Sequence, residues 1–284
     1  MLADYHVHTA FSDDAEYPME QVVLDAIELG LDEICFTDHV DYGIKRDWDD
    51  PKGITYRQSG ENKWMAMANV EYEAYVAEIQ RLQRQYRERI TLKMGLEFGM
   101  QTTTIPKYRR LFARHPWDFI LLSVHQIENK ELWTQEFQYG RTQQEYQQRY
   151  YEEILALVQQ YHDYSVLGHV DLIRRYDKKG TYPFEKCRPV LTEILKTVIA
   201  NGKGIEVNTS GYRYGLQDFM PSADILKLYH QLGGRVITIG SDSHQKQHLG
   251  AWIQETKGML RRLGYRKFCT FEQMQPIFHP LEQN

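Results

Sequence analysis

Short apolar runs alternate with longer amphipathic segments along the 284-residue chain, and that alternation sets the first expectation of its architecture. The runs stand at 4–8, 33–37, 91–97, 119–125, 165–168, 204–208 and 236–240. Bounded by turn residues and separated by helical periodicity, they read as strands of a parallel sheet covered by helices. Helices are expected over about 18–30, 64–89, 105–113, 143–161, 183–201, 222–232 and 249–263. Pro18 opens the first at a favoured first-turn position, and Gly30 closes it. Strand and helix alternate seven times with no Pro/Ser-rich linker between them, which predicts one α/β domain over 1–284 folded as a barrel. The polar stretch 40–62, with Lys45, Arg46, Trp48, Pro51 and Gly53, is long for a connection in a compact domain. It reads equally as a lid or substrate loop and as a surface insertion. Residues 126–141 read as loop, and a short apolar tail follows the last helix.

Chemistry gathers at the ends of the runs. His6 and His8 stand two apart in an extended segment, so alternation turns both imidazoles to one face, a spacing suited to one metal ion. By itself that pair is equally at home on a partly exposed edge strand. Later runs repeat the theme: His39 follows the second, Glu97 ends the third, and His125 and His169 end the fourth and fifth. Asp242 and His244 follow the seventh, and Asp14 lies in the loop after the first. In a parallel barrel the residues just past each strand meet at one mouth. Six of the eleven histidines fall there, although histidine is not a preferred helix cap. The nine donors offer oxygen and imidazole without thiolate, a set suited to Zn, Mn or Fe at a hydrolytic centre. Nine exceed one tetrahedral ion and suit two or three. The other histidines, His115, His162, His230, His248 and His279, read as surface or helix-end residues, with His248 nearest to the mouth.

Composition narrows the picture. A formal net charge of -5 shows no basic footprint for nucleic acid, leaving room for a local basic pocket. No apolar run approaches a membrane span and no charged-then-apolar leader opens the sequence. Cys35, Cys187 and Cys269 are odd in number, far apart and form no CxxC. A reduced, cytoplasmic protein without membrane or nucleic-acid partners is expected; the oligomeric state stays open.

The motifs His6-Val7-His8-Thr9, Asp14, Phe36-Thr37-Asp38-His39, Gly95-Leu96-Glu97, Ser123-Val124-His125, Gly168-His169-Val170-Asp171 and Ser241-Asp242-Ser243-His244 occur in one order from near Leu2 to about Gly250. In that order they resemble the polymerase and histidinol phosphatase (PHP) superfamily. Asn208-Thr209-Ser210-Gly211-Tyr212-Arg213 and the paired arginines after His169 are similar to its histidinol-phosphate phosphatase branch. The resemblance implies a distorted seven-stranded (β/α)7 TIM-like barrel with three divalent ions. It assigns His6, His8, Glu97 and Asp242 to the first ion, Glu97 with His125 and His169 to the second, and Asp14, His39 and His244 to the third. Several relatives carry His where this chain has Asp14, and Asp13 offers a competing alignment. A carboxylate there makes the third site more oxygen-rich.

The reaction implied is hydrolysis of a phosphate monoester, L-histidinol phosphate, to L-histidinol and phosphate in histidine biosynthesis. Catalysis of this kind rests on positioning and charge stabilisation. Arg213 is expected to clamp the phosphate and Arg174 or Arg175 to supply a second contact, since guanidinium matches phosphate oxygens. Asp38 is expected either to protonate the leaving alkoxide or to orient His39. Asp171 reads as a supporting residue. Competing expectations are a related phosphoesterase acting on nucleotides or another small phosphate ester, and a non-catalytic metal-bound interaction domain.

Overall fold

The computed structural model describes residues 1–49, 51–58 and 64–281. Seven parallel strands lie side by side in chain order: β1 (Ala3–Val7), β2 (Glu33–Phe36), β3 (Thr91–Gly99), β4 (Phe119–Ser123), β5 (Val166–Leu167), β6 (Gly204–Asn208) and β7 (Ile237–Gly240). The sheet curls until its outer strands meet at a single bridge between Val7 and Ser243. There His8 N–H donates to the Ser243 carbonyl at 2.8 Å, and Ser243 N–H to the His6 carbonyl at 3.2 Å. This is the distorted (β/α)7 barrel that the sequence leads one to expect. Every residue of β2, β4, β6 and β7 is buried, as strands enclosed by a helical layer must be.

The helices are α1 (Met19–Glu28), α2 (Tyr72–Tyr86), α3 (Ile105–Phe112), α4 (Gln143–Gln160), α5 (Phe184–Ala200), α6 (Ala223–Gln231) and α7 (Ile253–Arg262). Each presents an apolar stripe to the barrel; in α2 it is Tyr75, Val76, Ile79, Leu82 and Tyr86, at spacings of three and four. α4 begins at a reciprocal cap, in which Thr142 and Glu145 each bind the other's backbone N–H.

Three departures from the sequence expectation have physical causes. The helix expected over 64–89 starts only at Tyr72, where the Glu71 carboxylate caps the Ala74 N–H at 2.8 Å. Ahead of it, Trp64–Ala66 pairs antiparallel with Tyr56–Gln58, and Asn69 donates its N–H to the Arg46 carbonyl and accepts the Asp41 N–H at Oδ1. Tertiary hydrogen bonds thus overrule a helix-compatible composition. Residues 126–141 contain a small hairpin, Gln126–Ile127 with Lys130–Glu131. The apolar tail is a second hairpin, β8 (Lys267–Glu272) with β9 (Gln275–Pro280). It packs near the start of β4, where Phe271 lies 5.2 Å from Phe119 and its N–H donates to the Tyr5 hydroxyl at 2.7 Å. The stretch 40–62 lies partly outside the described residues. Among the described residues no helix is long and apolar enough to cross a membrane, and all three cysteines are free and buried.

Candidate metal centre and its cavity

Strand geometry carries the nine predicted donors to the C-terminal rim. β1 contains one more residue than β2 between Asp4 and Val7, a bulge of the kind that re-aims side chains next to active sites. His6 lies in it and His8 directly after, their rings 4.9 Å apart. Beyond β2 the chain leaves the sheet at Thr37 and Asp38, then rejoins β3 as His39–Val40 with His39 opposite Glu97. His125, His169, Asp242 and His244 follow β4, β5 and β7. Asp242 sits in the left-handed region at φ 55°, a conformation aspartate tolerates better than most residues.

Donor atoms fall into three groups that meet at Glu97 and His39. His6 Nε2 is 3.3 Å from Glu97 Oε2 and 3.7 Å from Asp242 Oδ1, while His8 Nε2 is 3.6 Å from each. Ligands about 2.0–2.2 Å from a tetrahedral zinc ion stand roughly 3.3–3.6 Å from one another, so this spacing fits an ion. The other oxygen of Glu97, Oε1, is 3.2 Å from His125 Nε2 and 2.9 Å from His169 Nε2. Asp14 Oδ2 is 3.5 Å from His39 Nε2 and 3.2 Å from His244 Nε2. Asp13 Oδ1 instead accepts from Lys45 Nζ at 2.6 Å, so of the two aspartates it is Asp14 that faces His39 and His244.

Burial supplies the test of fit. Four atoms, His6 Nε2, His8 Nε2, His39 Nδ1 and Glu97 Oε2, are buried without a hydrogen-bond partner and face one another. Each unpaired buried polar atom costs about 1–3 kcal/mol. Divalent cations held by these groups would remove that cost. Burial opposes protonation of His6, yet the carboxylates of Glu206, Glu97 and Asp242 overcome it and hold its pKa well above the ordinary imidazole value. For His125, burial likewise opposes and Glu97 and Asp41 prevail, raising the pKa to about 9.

Supporting residues include several that the strand-end pattern does not single out. Glu206, in the middle of β6, accepts from His6 Nδ1 at 2.5 Å and from the His169 N–H at 2.9 Å. Asp41 takes His125 Nδ1 at 2.8 Å. Both carboxylates fix the ring so that Nε2 faces the centre. Two glycines make room for them. A β-carbon on Gly99 would overlap Asp41 and the His125 ring, and one on Gly240 would overlap His6 and Glu206. The signal in the sequence was a lone acid inside an otherwise apolar strand, sharing the face of Asn208.

Arg213 is redrawn, and the alternatives left for Asp38 and for the paired arginines narrow. Asp38 is fully buried and its oxygens are occupied by Thr9 N–H (2.7 Å), Ser12 Oγ (2.6 Å) and Thr9 Oγ1 (3.0 Å), away from the cavity wall. Burial raises its carboxyl to about 6 against these hydrogen bonds. It reaches His39 through Ser12, whose Oγ accepts the His39 N–H at 3.0 Å, and it is not part of the cavity lining. Arg213 donates to the carbonyl oxygens of Ser241 (3.1 Å) and Asp242 (2.7 Å), bracing the left-handed turn beside the donors rather than lining the cavity. Arg174 pairs with buried Asp171 at 2.7 Å. Arg213→Ala should therefore lower metal affinity roughly 10–100-fold and depress the rate on all phosphate esters alike, as loss of an outer support does. Metal titration of the variant checks this, and normal affinity with a raised KM would restore the clamp.

Seven of the donors line a cavity of about 430 Å³ whose walls include Lys45, Arg57, Glu131, Trp133 and Arg175, and fully buried His6 and His8 are not part of its lining. Lys45 Nζ lies 2.6 Å from Asp13 and 2.8 Å from Asp41, and it ties the first loop to the wall beside His125. Arg175 stacks on Tyr214 at 3.2 Å and stands 3.5 Å from Asp242 Oδ2, with its Nε lacking a hydrogen-bond partner. A neighbouring hollow shares Asp14, Arg175 and His244 and reaches His248.

The family model described as PHP domain matches residues 4–210. The chain belongs to the PHP domain family. This PHP domain is 31% identical over 278 residues to the histidinol-phosphatase of Lactococcus lactis, across 96% of this chain and 95% of that one. It is 25% identical to the histidinol-phosphatase of Bacillus subtilis, across 87% and 95%. Among solved structures, the histidinol phosphate phosphatase of Lactococcus lactis, complexed with Zn, L-histidinol and phosphate, superposes with a TM-score of 0.82 at 30% identity, covering 97% of this chain and 98% of that one. A structure from Listeria monocytogenes shares the fold at a TM-score of 0.71 and 20% identity, over 88% and 97%. The PHP domain therefore combines a family fold with candidate sites for divalent metal ions.

Proposed function

We propose that this PHP domain hydrolyses L-histidinol phosphate to L-histidinol and inorganic phosphate, a step of histidine biosynthesis. Residues 1–284 act in this reading as one catalytic unit. It has three divalent ions, with zinc the first choice over Mn or Fe given the Zn-complexed relative. His6, His8, Glu97 and Asp242 hold one, Glu97 with His125 and His169 the second, and Asp14, His39 and His244 the third. Such ions supply Lewis acidity towards phosphoryl oxygens and activation of water near neutral pH.

The protein's own side chains do the remaining work. Glu206 and Asp41 orient His6 and His125. Lys45 spans the Asp13–Asp41 pair and fixes the wall beside them. Arg175, of the three candidate arginines, is the one on the cavity wall, and its guanidinium is set to receive phosphoryl oxygens. The observation that carries the proposal is the set of four unpaired buried donor atoms, two of them on residues that line this cavity, in a chain 31% identical to a histidinol-phosphatase over 96% of its length. The test is turnover by metal-replete protein of histidinol phosphate, nucleotides and sugar phosphates side by side. A dominant kcat/KM for histidinol phosphate is expected; a nucleotide or sugar phosphate turned over equally well overturns the proposal, and no turnover of any ester favours a non-catalytic metal domain.

A further inference from the structure

The hairpin after His125 carries a carboxylate that the metal chemistry does not use. Gln126 pairs with Glu131 across it, and both turn residues, Glu128 and Asn129, have positive φ (57° and 55°). That is the geometry suited to a two-residue hairpin loop. Leu132 N–H donates back to the His125 carbonyl at 3.0 Å. Glu131 is thus held one residue pair beyond a donor histidine, on the cavity wall, with its side chain only 9% exposed.

The other carboxylates on that wall are committed. Asp14, Glu97 and Asp242 face histidine nitrogens, while Asp13 and Asp41 share Lys45. Among the described residues Glu131 meets Arg57 alone, at 3.2 Å and 2.5 Å through its two terminal nitrogens. A carboxylate offers about four acceptor positions, so roughly two stay open. The Arg57 guanidinium lies 4.9 Å above the Trp133 ring, itself half exposed, and Met65 and Leu172 continue an apolar surface on the same cavity.

We infer that Glu131 is a specificity-determining residue: it accepts hydrogen bonds from an ammonium group at the organic end of the substrate, while the Trp133 face supports the adjoining planar ring. The inference rests on the proposed function, whose substrate carries a phosphoryl group at one end and a cationic, ring-bearing group at the other. An ammonium entering a partly dehydrated cavity needs a carboxylate to replace its water. An aromatic face favours both the cation and the ring. The same carboxylate repels esters whose organic end is anionic, which gives discrimination through repulsion as well as attraction.

The test compares histidinol phosphate with phenyl phosphate, which has a ring and no ammonium, on the metal-loaded full chain. Glu131→Gln keeps the shape and removes the charge. The ratio of kcat/KM for histidinol phosphate to that for phenyl phosphate should fall about 10- to 100-fold, mainly through KM, as expected for loss of a hydrogen bond to a charged group. Glu136→Gln, which removes an exposed carboxylate of the same segment from outside the cavity lining, should leave the wild-type preference for the ammonium ester in place. Parallel losses on both esters in Glu131→Gln, or an equal fall of the preference in Glu136→Gln, overturns the inference. If the wild type itself shows no preference for histidinol phosphate, the functional proposal fails first; an intact preference in Glu131→Gln sinks the inference alone.

Discussion

Glu97→Gln is expected to lower kcat by on the order of 10²–10³-fold or more, the scale seen when one preorganised electrostatic group is removed from a reaction centre. Both oxygens of Glu97 are engaged: Oε2 faces His6, His8 and His39, and Oε1 faces His125, His169 and the Ser123 hydroxyl at 2.7 Å. Glutamine replaces one oxygen by an amide NH2, a donor aimed at nitrogen atoms or at a cation. Two of the three donor groups lose an anionic member at once. Elemental analysis of the purified variant should therefore find fewer ions per chain than in the wild type, alongside the loss of rate. Asp14→Asn should do less, because Asp14 serves one group and its side chain is 45% exposed. A Glu97→Gln protein with full metal content and near-normal kcat would remove Glu97 from the centre.

Chelation has the second large effect. Stripping the ions should abolish phosphatase activity and lower Tm. A ligand present at 1,000 times its Kd and bound by the native state alone adds about 4 kcal/mol to stability. At roughly 2–4 °C per kcal/mol, the scale for chains somewhat smaller than this one, the drop is about 10 °C. Calorimetry with and without chelator reads it, and an unchanged Tm with retained activity contradicts a metal centre. Recovery should depend on pH in a definite direction. In the metal-free protein the carboxylates hold His6 well above, and His125 at about 9 against, the usual imidazole value, so both are protonated near neutrality. An incoming ion must displace those protons. Raising the pH from 6 to 8 should tighten metal uptake and lowering it should weaken it.

What the sequence made legible follows from how far each signal is local. The donors His6, His8, Glu97, His125 and His169 each end or follow an apolar run, and in a parallel barrel that position alone brings them to one rim. β6 could be bounded without error because Gly204 and Asn208 mark its ends. Glu206 was hidden because its partner, His6, is 200 residues away, and no local rule pairs them. Arg213 was assigned to phosphate from its chemistry, yet the left-handed turn at Asp242 claims its guanidinium. That turn conformation is not written in the flanking residues. Glu131 was obscured in a stretch that lacks periodicity, where only the two-residue turn fixes its direction.

The bridge between Val7 and Ser243 joins the first barrel strand to the segment that follows the last. His6 and His8 stand on one side of that join, with Asp242 and His244 on the other. During synthesis, then, His6 and His8 lack their Asp242 neighbour until almost the entire chain has been made. No nascent fragment ending before residue 242 can complete the group formed with His6, His8 and Glu97. A divalent ion held by that group would be set last, so truncation late in the barrel should cost metal uptake before it costs most of the strand pairing.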